Sequence, residues 1–440
     1  MNWKTAAVLV CGTSLLLGAC QATMTKEESK SDKLEQSSTS QKSTEILMSG
    51  NWESKAHARL TQLIQEYGKS SPNYSEEARP YAVFDWDNTT IINDIGEATF
   101  VYQIENLAFK VTPVEFGNVI RTQVPEDVFS EDYQNEDDQA ISIKEISADL
   151  EADYQYLYQE YKGFEGTKSL EEIQKTDQYK DFRAKLLFLY EAIGDTFSSD
   201  ISYPWVTYLY AGMTSEEVQK LSEESIAKAL KDELVSETWE SPGSQKGQAG
   251  QVEIEFKRGI RTVKEVQDLY QMLMKNGIDV YVNSASYYDV ILPFATSKEY
   301  GYGVPEENVF AMRLSKSDEG VIMPELDSAF PQTQGSGKTE TINQFMAPKQ
   351  GDSQPILIAG DSNGDYAMLS DFPELKMGLI FNLLRNPEKG IGLLAKEAVA
   401  DYNQKQPLYY LQGRDENKGV LISSQQTIPL GQQEAVLVKD

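Results

Sequence analysis

The sequence predicts an α/β protein in which a large, mainly helical segment interrupts a Rossmann-like parallel sheet. Three short apolar runs predict the sheet, because each is continuous and is followed by polar residues: residues 81–84, 280–282 and 355–359. Runs of this kind are typical of parallel strands that are buried on both faces. An amphipathic helix pattern over residues 263–276 separates the second run from the third. This alternation favours a doubly wound sheet, whose ligands bind beyond the carboxyl ends of the strands.

The chain is predicted to fold as a core that is split by an inserted helical domain. A helical pattern over residues 53–67 precedes the first strand, and we expect the core to comprise residues 51–95 and 252–440. Residues 96–251 are rich in helix-forming, acidic and aromatic residues, so we interpret them as the inserted domain. Within it, Thr214 followed by Glu217 predicts a capping box at the start of a helix.

Composition excludes several classes of function. The formal net charge of −29 argues against nucleic acid as a partner, because binding phosphate backbones requires an excess of Lys and Arg. The only histidine is His57, and the only cysteines are Cys11 and Cys20. Sites of the Ser-His-Asp, Cys-His and Cys/His zinc kinds are therefore hard to build. The chemistry has to rest on carboxylates, hydroxyls, Lys and Arg side chains and an oxygen-ligated metal ion.

The first 50 residues predict export. Residues 1–19 combine one basic residue, an apolar run and small residues before Cys20, which is the pattern of a signal peptide. The ending Leu-Gly-Ala-Cys resembles a bacterial lipobox, which implies that Cys20 is lipidated and anchors the protein to the outer face of the cell membrane. An uncleaved anchor and an ordinary secretory signal are the alternatives. Residues 20–50 have little to bury and predict a disordered tether.

Polar and charged residues of one chemical set follow the three predicted strands, except that Lys338 lies at the beginning of a predicted helix. They are, in chain order, Asp85, Asp87, Ser284, Lys338, Asp361 and Asp365. Phosphoryl transfer to a carboxylate uses such a set: one Asp attacks phosphorus, and a second Asp two positions later protonates the leaving alcohol. Converging carboxylates favour Mg²⁺, while Ser and Lys side chains stabilise the transferring group. Ser286 competes with Ser284 for the serine role.

These motifs, in this order, resemble those of the haloacid dehalogenase (HAD) superfamily. The first motif of that family, DxDx[TV], matches Asp85, Asp87 and Thr89; Ser284, Lys338 and the Asp361/Asp365 pair match the other three. The resemblance implies catalysis by Asp85, Asp87, Ser284 and Lys338, and Mg²⁺ binding by Asp85, Asp87, Asp361 and Asp365. It also implies that the inserted helical domain is a cap of the C1 type.

Within this superfamily the chain is similar to the bacterial phosphorylcholine phosphatases, through DWDNTT, Glu97, the SAS of residues 284–286 and GDSNGD. The similarity implies that Ser284, Lys338 and Glu97 bind a small phosphomonoester, with Glu97 contacting the choline cation. An aromatic-rich cap suits a trimethylammonium group. The alternatives are a phosphoserine-like or broad-specificity phosphatase, a phosphotransferase, and an inactive solute-binding lipoprotein.

Overall fold

A parallel sheet forms the centre of the protein in a computed structural model that describes residues 47–72 and 74–438. The strands in chain order are β1 (Tyr81–Phe84), β2 (Ile91–Ile92), β3 (Val235–Glu240), β4 (Glu253–Arg258), β5 (Arg261–Thr262), β6 (Asp279–Tyr287), β7 (Val309–Met312), β8 (Leu314–Lys316), β9 (Ile322–Leu326), β10 (Leu357–Gly360), β11 (Met377–Phe381), β12 (Tyr409–Gln412), β13 (Arg414–Asp415) and β14 (Val420–Leu421).

Six of these strands form the sheet, in the order β12-β11-β10-β1-β6-β7, and every neighbouring pair is parallel. All four residues of β1 are buried, as expected for a continuous apolar run inside a parallel sheet. Phe84, the last residue of β1, pairs with Ala359 of β10 and with Val282 of β6. The residues that follow these three strands therefore meet at one edge of the sheet.

Helices cover the sheet and build the segment between β2 and β5. They are α1 (Ser54–Tyr67), α2 (Ile95–Asn106), α3 (Pro113–Val119), α4 (Ile143–Glu160), α5 (Leu170–Ile173), α6 (Asp177–Thr196), α7 (Ser199–Tyr208), α8 (Ser215–Ala229), α9 (Lys264–Lys275), α10 (Tyr288–Ala295), α11 (Ser336–Thr341), α12 (Tyr366–Ser370) and α13 (Ile391–Ala400). The predicted helices at residues 53–67 and 263–276 are confirmed as α1 and α9. The predicted α/β fold is confirmed as well.

The inserted segment leaves and rejoins the sheet through a pair of short strands. β2 pairs antiparallel with β5, and seven helices, α2 to α8, lie between them together with the β3–β4 hairpin. The capping box of Thr214 and Glu217 is present at the start of α8. Aromatic side chains pack inside the segment, with the rings of Phe116 and Tyr154 stacked 4.2 Å apart. The described residues form one compact unit, so the domain boundaries at 95/96 and 251/252 stay a prediction.

The predicted signal peptide, the lipidation of Cys20 and most of the predicted tether lie outside the described residues. Among the helices that the structure does describe, none is both long enough and apolar enough to cross a membrane.

Candidate active site

The site begins with a tight loop after β1, residues 85–93, which we call the catalytic loop. The backbone N–H of Asp85 still donates to the carbonyl of Ala359 at 3.0 Å, so its position is fixed by the sheet. The loop then closes on itself: the N–H of Asn88 donates to the carbonyl of Asn93, and the N–H of Thr90 donates to that of Trp86. Asp85 and Asp87 are both buried at this edge of the sheet.

Lys338 reaches this loop from the beginning of α11. Its ammonium donates to Asp85 Oδ1 and to Asp365 Oδ1, each at 2.6 Å, and its side chain is only 2% exposed. The approach requires a glycine at position 337, since a Cβ there would lie 1.7 Å from the carbonyl oxygen of Gln332. Burial by itself would lower the pKa of Lys338, but the carboxylates of Asp365 and Asp85 raise it overall. Lys338 is therefore a fixed positive charge beside Asp85.

Three buried carboxylates converge around this lysine. Asp85, Asp361 and Asp365 each offer an oxygen, and these oxygens lie within 4.8 Å of one another. A set made only of carboxylate oxygens fits Mg²⁺, which prefers hard oxygen ligands. Burial raises the pKa of Asp85, and the charges of Asp365 and Asp361 add to the rise while Lys338 opposes it. A divalent cation would relieve this repulsion, and the assignment of Mg²⁺ to these residues stays a prediction.

Asp87, which the sequence also assigned to the metal, is not part of this cluster. Its carboxylate accepts hydrogen bonds from the backbone N–H of Ile95 and from the hydroxyl of Ser286, both at 2.7 Å. Each of the two carboxylate oxygens of Asp87 thus has a donor of its own. Burial raises the pKa of Asp87, with further contributions from the charges of Asp94 and Asp85. A carboxyl group whose pKa is raised in this way is suited to act as a general acid.

The structure distinguishes the two candidate serines. Ser284 is 1% exposed and its hydroxyl accepts a hydrogen bond from the N–H of Ser286. Ser286, in contrast, lines the cavity above the carboxylates, whereas Ser284 is not among the cavity-lining residues. The side chain that meets both Asp87 and the cavity is therefore that of Ser286, and a role of Ser284 in catalysis or substrate binding stays a prediction.

A cavity of about 640 Å³ lies over these residues, between the sheet edge and the helical segment. Its floor includes Asp85, Asp87, Lys338 and Asp361. Further carboxylates and tyrosines line the cavity. They come from α2 and its N-cap, from α6, and from α7 and the residues just after it: Asp94, Glu97, Tyr190, Glu191, Asp195, Tyr203 and Tyr210. The structure thus brings Glu97 into the same cavity as the predicted catalytic residues.

Glu97 and Glu191 are carboxylates without a protein partner. Within the described residues, neither side chain has a hydrogen bond or an ion pair, although solvent reaches both only in part. Burial raises the pKa of Glu97, and Asp94 and Glu191 raise it further. Burial, followed by Asp195 and Asp94, raises the pKa of Glu191 to about 7. Two carboxyl groups that repel each other beside tyrosine rings make a wall suited to a cationic ligand.

Sequence reasoning missed several of the residues at this site. Glu191 and Asp195 lie four positions apart on α6, and such a spacing places two side chains on the same face of a helix. This spacing, in a stretch rich in aromatic residues, was the feature of the sequence that could have indicated them. Arg385 also lines the cavity, and its Nη2 lies 3.4 Å from Asp361 Oδ2. Asp361 accepts a second hydrogen bond from the hydroxyl of Thr89 at 2.9 Å, which accounts for the threonine of the first motif.

Comparison with known proteins supports this description. No protein-family model matches the chain. The phosphorylcholine phosphatase of Pseudomonas aeruginosa is 28% identical over 120 residues, a match that covers 26% of this chain and 29% of that protein. A crystal structure of a conserved protein of unknown function from Anaerococcus prevotii is 36% identical, with a TM-score of 0.81, and the alignment covers 87% of this chain and 98% of that one. The chain belongs to the same family as the Anaerococcus protein.

The other matches are short or distant. A substrate-bound phosphoserine phosphatase aligns over 69% of this chain with 12% identity and a TM-score of 0.31, which is too distant to support an argument. The Pseudomonas match is short, and its 120 residues are fewer than those that separate the first motif from the last. The likeness of the chain to the HAD superfamily therefore rests on the four motifs.

Proposed function

We propose that this chain is a phosphoric monoester hydrolase that acts on a small metabolite with a cationic alcohol group, phosphorylcholine being the first candidate. One observation carries the proposal: the cavity that is lined by Asp85, Lys338 and Asp361 of the carboxylate cluster is also lined by the unpartnered carboxylates of Glu97 and Glu191. The phosphate would be bound at the cluster and the cation at these two carboxylates.

The reaction uses two aspartates of the catalytic loop. A carboxylate oxygen of Asp85 attacks phosphorus, the bond from phosphorus to the alcohol oxygen breaks, and Asp87 gives its proton to that oxygen. Asp87 then takes a proton from a water molecule, whose oxygen attacks phosphorus and releases phosphate, so that Asp85 is restored. Lys338 offsets the negative charge of Asp85 and of the phosphate throughout.

Asp85, Asp361 and Asp365 would hold Mg²⁺, which supplies positive charge against the anionic nucleophile and the anionic substrate. Such a charge is needed here, because burial alone disfavours the ionised form of Asp85.

Recognition of choline needs no hydrogen bond. A trimethylammonium group has no N–H to donate, so carboxylates and aromatic faces are the groups that bind it. Glu97 and Glu191 supply the charge, and Tyr190, Tyr203 and Tyr210 supply the rings. The name of the Pseudomonas relative supports the same substrate.

The proposed location is the outer face of the cell membrane, with a lipid on Cys20 and residues 20–50 as a tether. This rests on the signal-like residues 1–19 and on Cys20 that follows them. The net charge of −29 supports an exported enzyme of small molecules rather than a nucleic-acid enzyme. Labelling of the cells with a radioactive fatty acid, followed by comparison with Cys20→Ser, tests it: incorporation in both proteins or in neither would contradict the anchor.

A phosphomonoester panel tests the activity. Purified protein is incubated with phosphorylcholine, phosphorylethanolamine, phosphoserine and p-nitrophenyl phosphate, in Mg²⁺ and in EDTA, and released phosphate is measured. We expect release from phosphorylcholine, its loss in EDTA, and its loss in Asp85→Asn with the fold preserved by circular dichroism. Release that survives EDTA or Asp85→Asn would overturn the mechanism, and release from no substrate would overturn the activity.

A second variant separates substrate choice from mechanism. Glu97→Gln removes one charge from the cavity wall and leaves the cluster around Lys338 intact. We expect KM for phosphorylcholine to rise about tenfold and KM for p-nitrophenyl phosphate to stay within twofold, as expected for a lost partly desolvated cation contact. An equal change for both substrates would mean that Glu97 does not face the cation.

A further inference from the structure

The chain segment after β12 returns to the catalytic loop and places a buried arginine against it. Arg414, at the beginning of β13, has no solvent exposure, which is rare for an arginine unless its charge is paired. It does not line the cavity, and the proposed reaction does not use it. The burial of this charged side chain beside the catalytic loop is therefore not explained by substrate binding or by the proposed reaction.

The guanidinium of Arg414 is fixed from two sides. Nη1 donates to the backbone carbonyl of Asn88 at 3.1 Å, and Nη2 donates to the side-chain Oδ1 of the same residue at 3.0 Å. On the other side Nη2 and Nε donate to Glu416 Oε1 at 2.7 and 3.2 Å. Glu416 is itself held by Lys257 and by the N–H of Leu430, each at 3.2 Å. The planar fork of an arginine can make all these bonds at once, whereas a lysine cannot.

Asn88, to which Arg414 donates these hydrogen bonds, has an unusual backbone conformation. Asn88 has a φ of 59°, in the left-handed region that non-glycine residues rarely adopt. It lies between Asp87, the proposed general acid, and Thr89, whose hydroxyl donates to Asp361 at 2.9 Å. A change in the backbone of Asn88 would therefore move both neighbours.

We propose that Arg414 is a positioning residue for the catalytic loop: by binding both oxygens of Asn88, it holds Asp87 and Thr89 in the geometry that catalysis requires. It acts through Asn88 and touches neither substrate nor the reacting atoms. The inference rests on the proposed phosphatase function for its kinetic readout, but its structural part can be tested without activity.

A double-mutant cycle tests the link. Arg414→Lys keeps the charge and loses the fork, and Asn88→Gly removes the side-chain acceptor while tolerating the left-handed backbone. We expect each single variant to lower kcat for phosphorylcholine about 10- to 100-fold with KM within twofold, as for misplacement of a reacting group without lost binding. Asn88→Gly keeps the backbone carbonyl that Nη1 binds, so Arg414→Lys should lower kcat in that background too, but by a smaller factor than in the wild-type protein. If the two losses multiply in full, Arg414 does not act through Asn88.

Hydrogen exchange supplies the readout that needs no turnover. The N–H groups of Asn88, Thr90 and Ile91 are hydrogen-bonded inside the loop, so Arg414→Lys and Asn88→Gly should each speed their exchange at least tenfold. Arg258→Lys is the matched control, because Arg258 is also paired with carboxylates but does not line the cavity. It should leave both kcat and this exchange unchanged.

The failure of this inference differs from the failure of the proposed function. A wild-type protein with no turnover refutes the function and leaves the exchange experiment to decide the inference. Active protein whose kcat and loop exchange are unchanged in Arg414→Lys overturns the inference alone. If Arg414→Lys does not fold, Asn88→Gly alone tests the inference. An unchanged kcat together with unchanged loop exchange in Asn88→Gly would then refute it.

Discussion

Replacement of Lys338 by methionine tests the charge balance at the centre of the site. The ammonium of this lysine lies 2.6 Å from an oxygen of Asp85 and 2.6 Å from one of Asp365, with 2% of its side chain exposed. Methionine has a similar length and no charge, so the variant leaves the buried carboxylates without their cation. Breaking a buried pair by removing one partner costs about 3–5 kcal/mol.

The loss depends on pH in a defined direction. The pKa of Asp85 is already raised by burial, and removal of Lys338 would raise it further. A carboxyl group whose pKa is higher in the folded than in the unfolded state contributes less stability as the pH rises. In the variant, protonation relieves the repulsion at low pH and ionisation restores it at high pH. We therefore expect the loss of stability to reach about 3–5 kcal/mol near pH 8 and to be smaller near pH 5.

Urea denaturation in EDTA at both pH values measures this loss, and released phosphate in Mg²⁺ measures kcat, which should fall at least about 100-fold. Lys185 offers a matched control in the helical segment: it has no exposure and is bonded to Asp149 and Asp181 at 2.8 Å each. Lys185→Met should lose a similar free energy of unfolding but keep kcat in its folded fraction. A pH-independent loss in Lys338→Met, or a kcat within threefold of wild type, would refute the reasoning.

Two further predictions concern carboxyl groups with raised pKa values. The pKa of Glu191 is about 7, so KM for phosphorylcholine should rise as the pH falls through that value, because a neutral carboxyl no longer attracts the cation. Glu191→Gln should remove this dependence; a profile that is unchanged in the variant would exclude Glu191 from the cation site. Burial, assisted by Asp181, raises the pKa of Asp153 to about 9, so the folded protein keeps a proton that the unfolded chain loses. Asp153→Asn should therefore gain stability over wild type between about pH 5 and pH 8, by on the order of 1 kcal/mol per pH unit at most, in urea denaturation; no gain would contradict a proton on Asp153.

The sequence located three neighbouring strands of the sheet, β10, β1 and β6, better than the other three. β1 and β10 are buried on both faces, and such strands appear in a sequence as continuous apolar runs. β7, β11 and β12 are equally short, but no chemical motif follows them that would mark them as strands of the same sheet. Periodicity alone does not separate short apolar runs from buried helix segments, so these strands could not be assigned.

The same difference holds for the site. Asp85, Asp361 and Asp365 could be placed together because parallel strands bring their carboxyl ends to one edge, and Lys338 could be added through its place in the order of the motifs. Glu191 and Arg414 could not be found in this way. The path of α6 over the cavity depends on how helices pack, and the return of Arg414 to Asn88 depends on a loop after the last strand of the sheet. Neither the helix packing nor the path of that loop produces a periodic pattern in the sequence.

The order of the strands in the sheet has a consequence for how the chain acquires its activity. Lys338 is 253 positions from Asp85, and Asp361 is 272 positions from Thr89. Contacts between such distant positions form slowly, since a long loop must close before they contribute any stability. The helices of the inserted segment can form earlier from local contacts. We therefore expect helical circular dichroism to return well before phosphatase activity during refolding, with the catalytic centre among the last parts of the molecule to assemble.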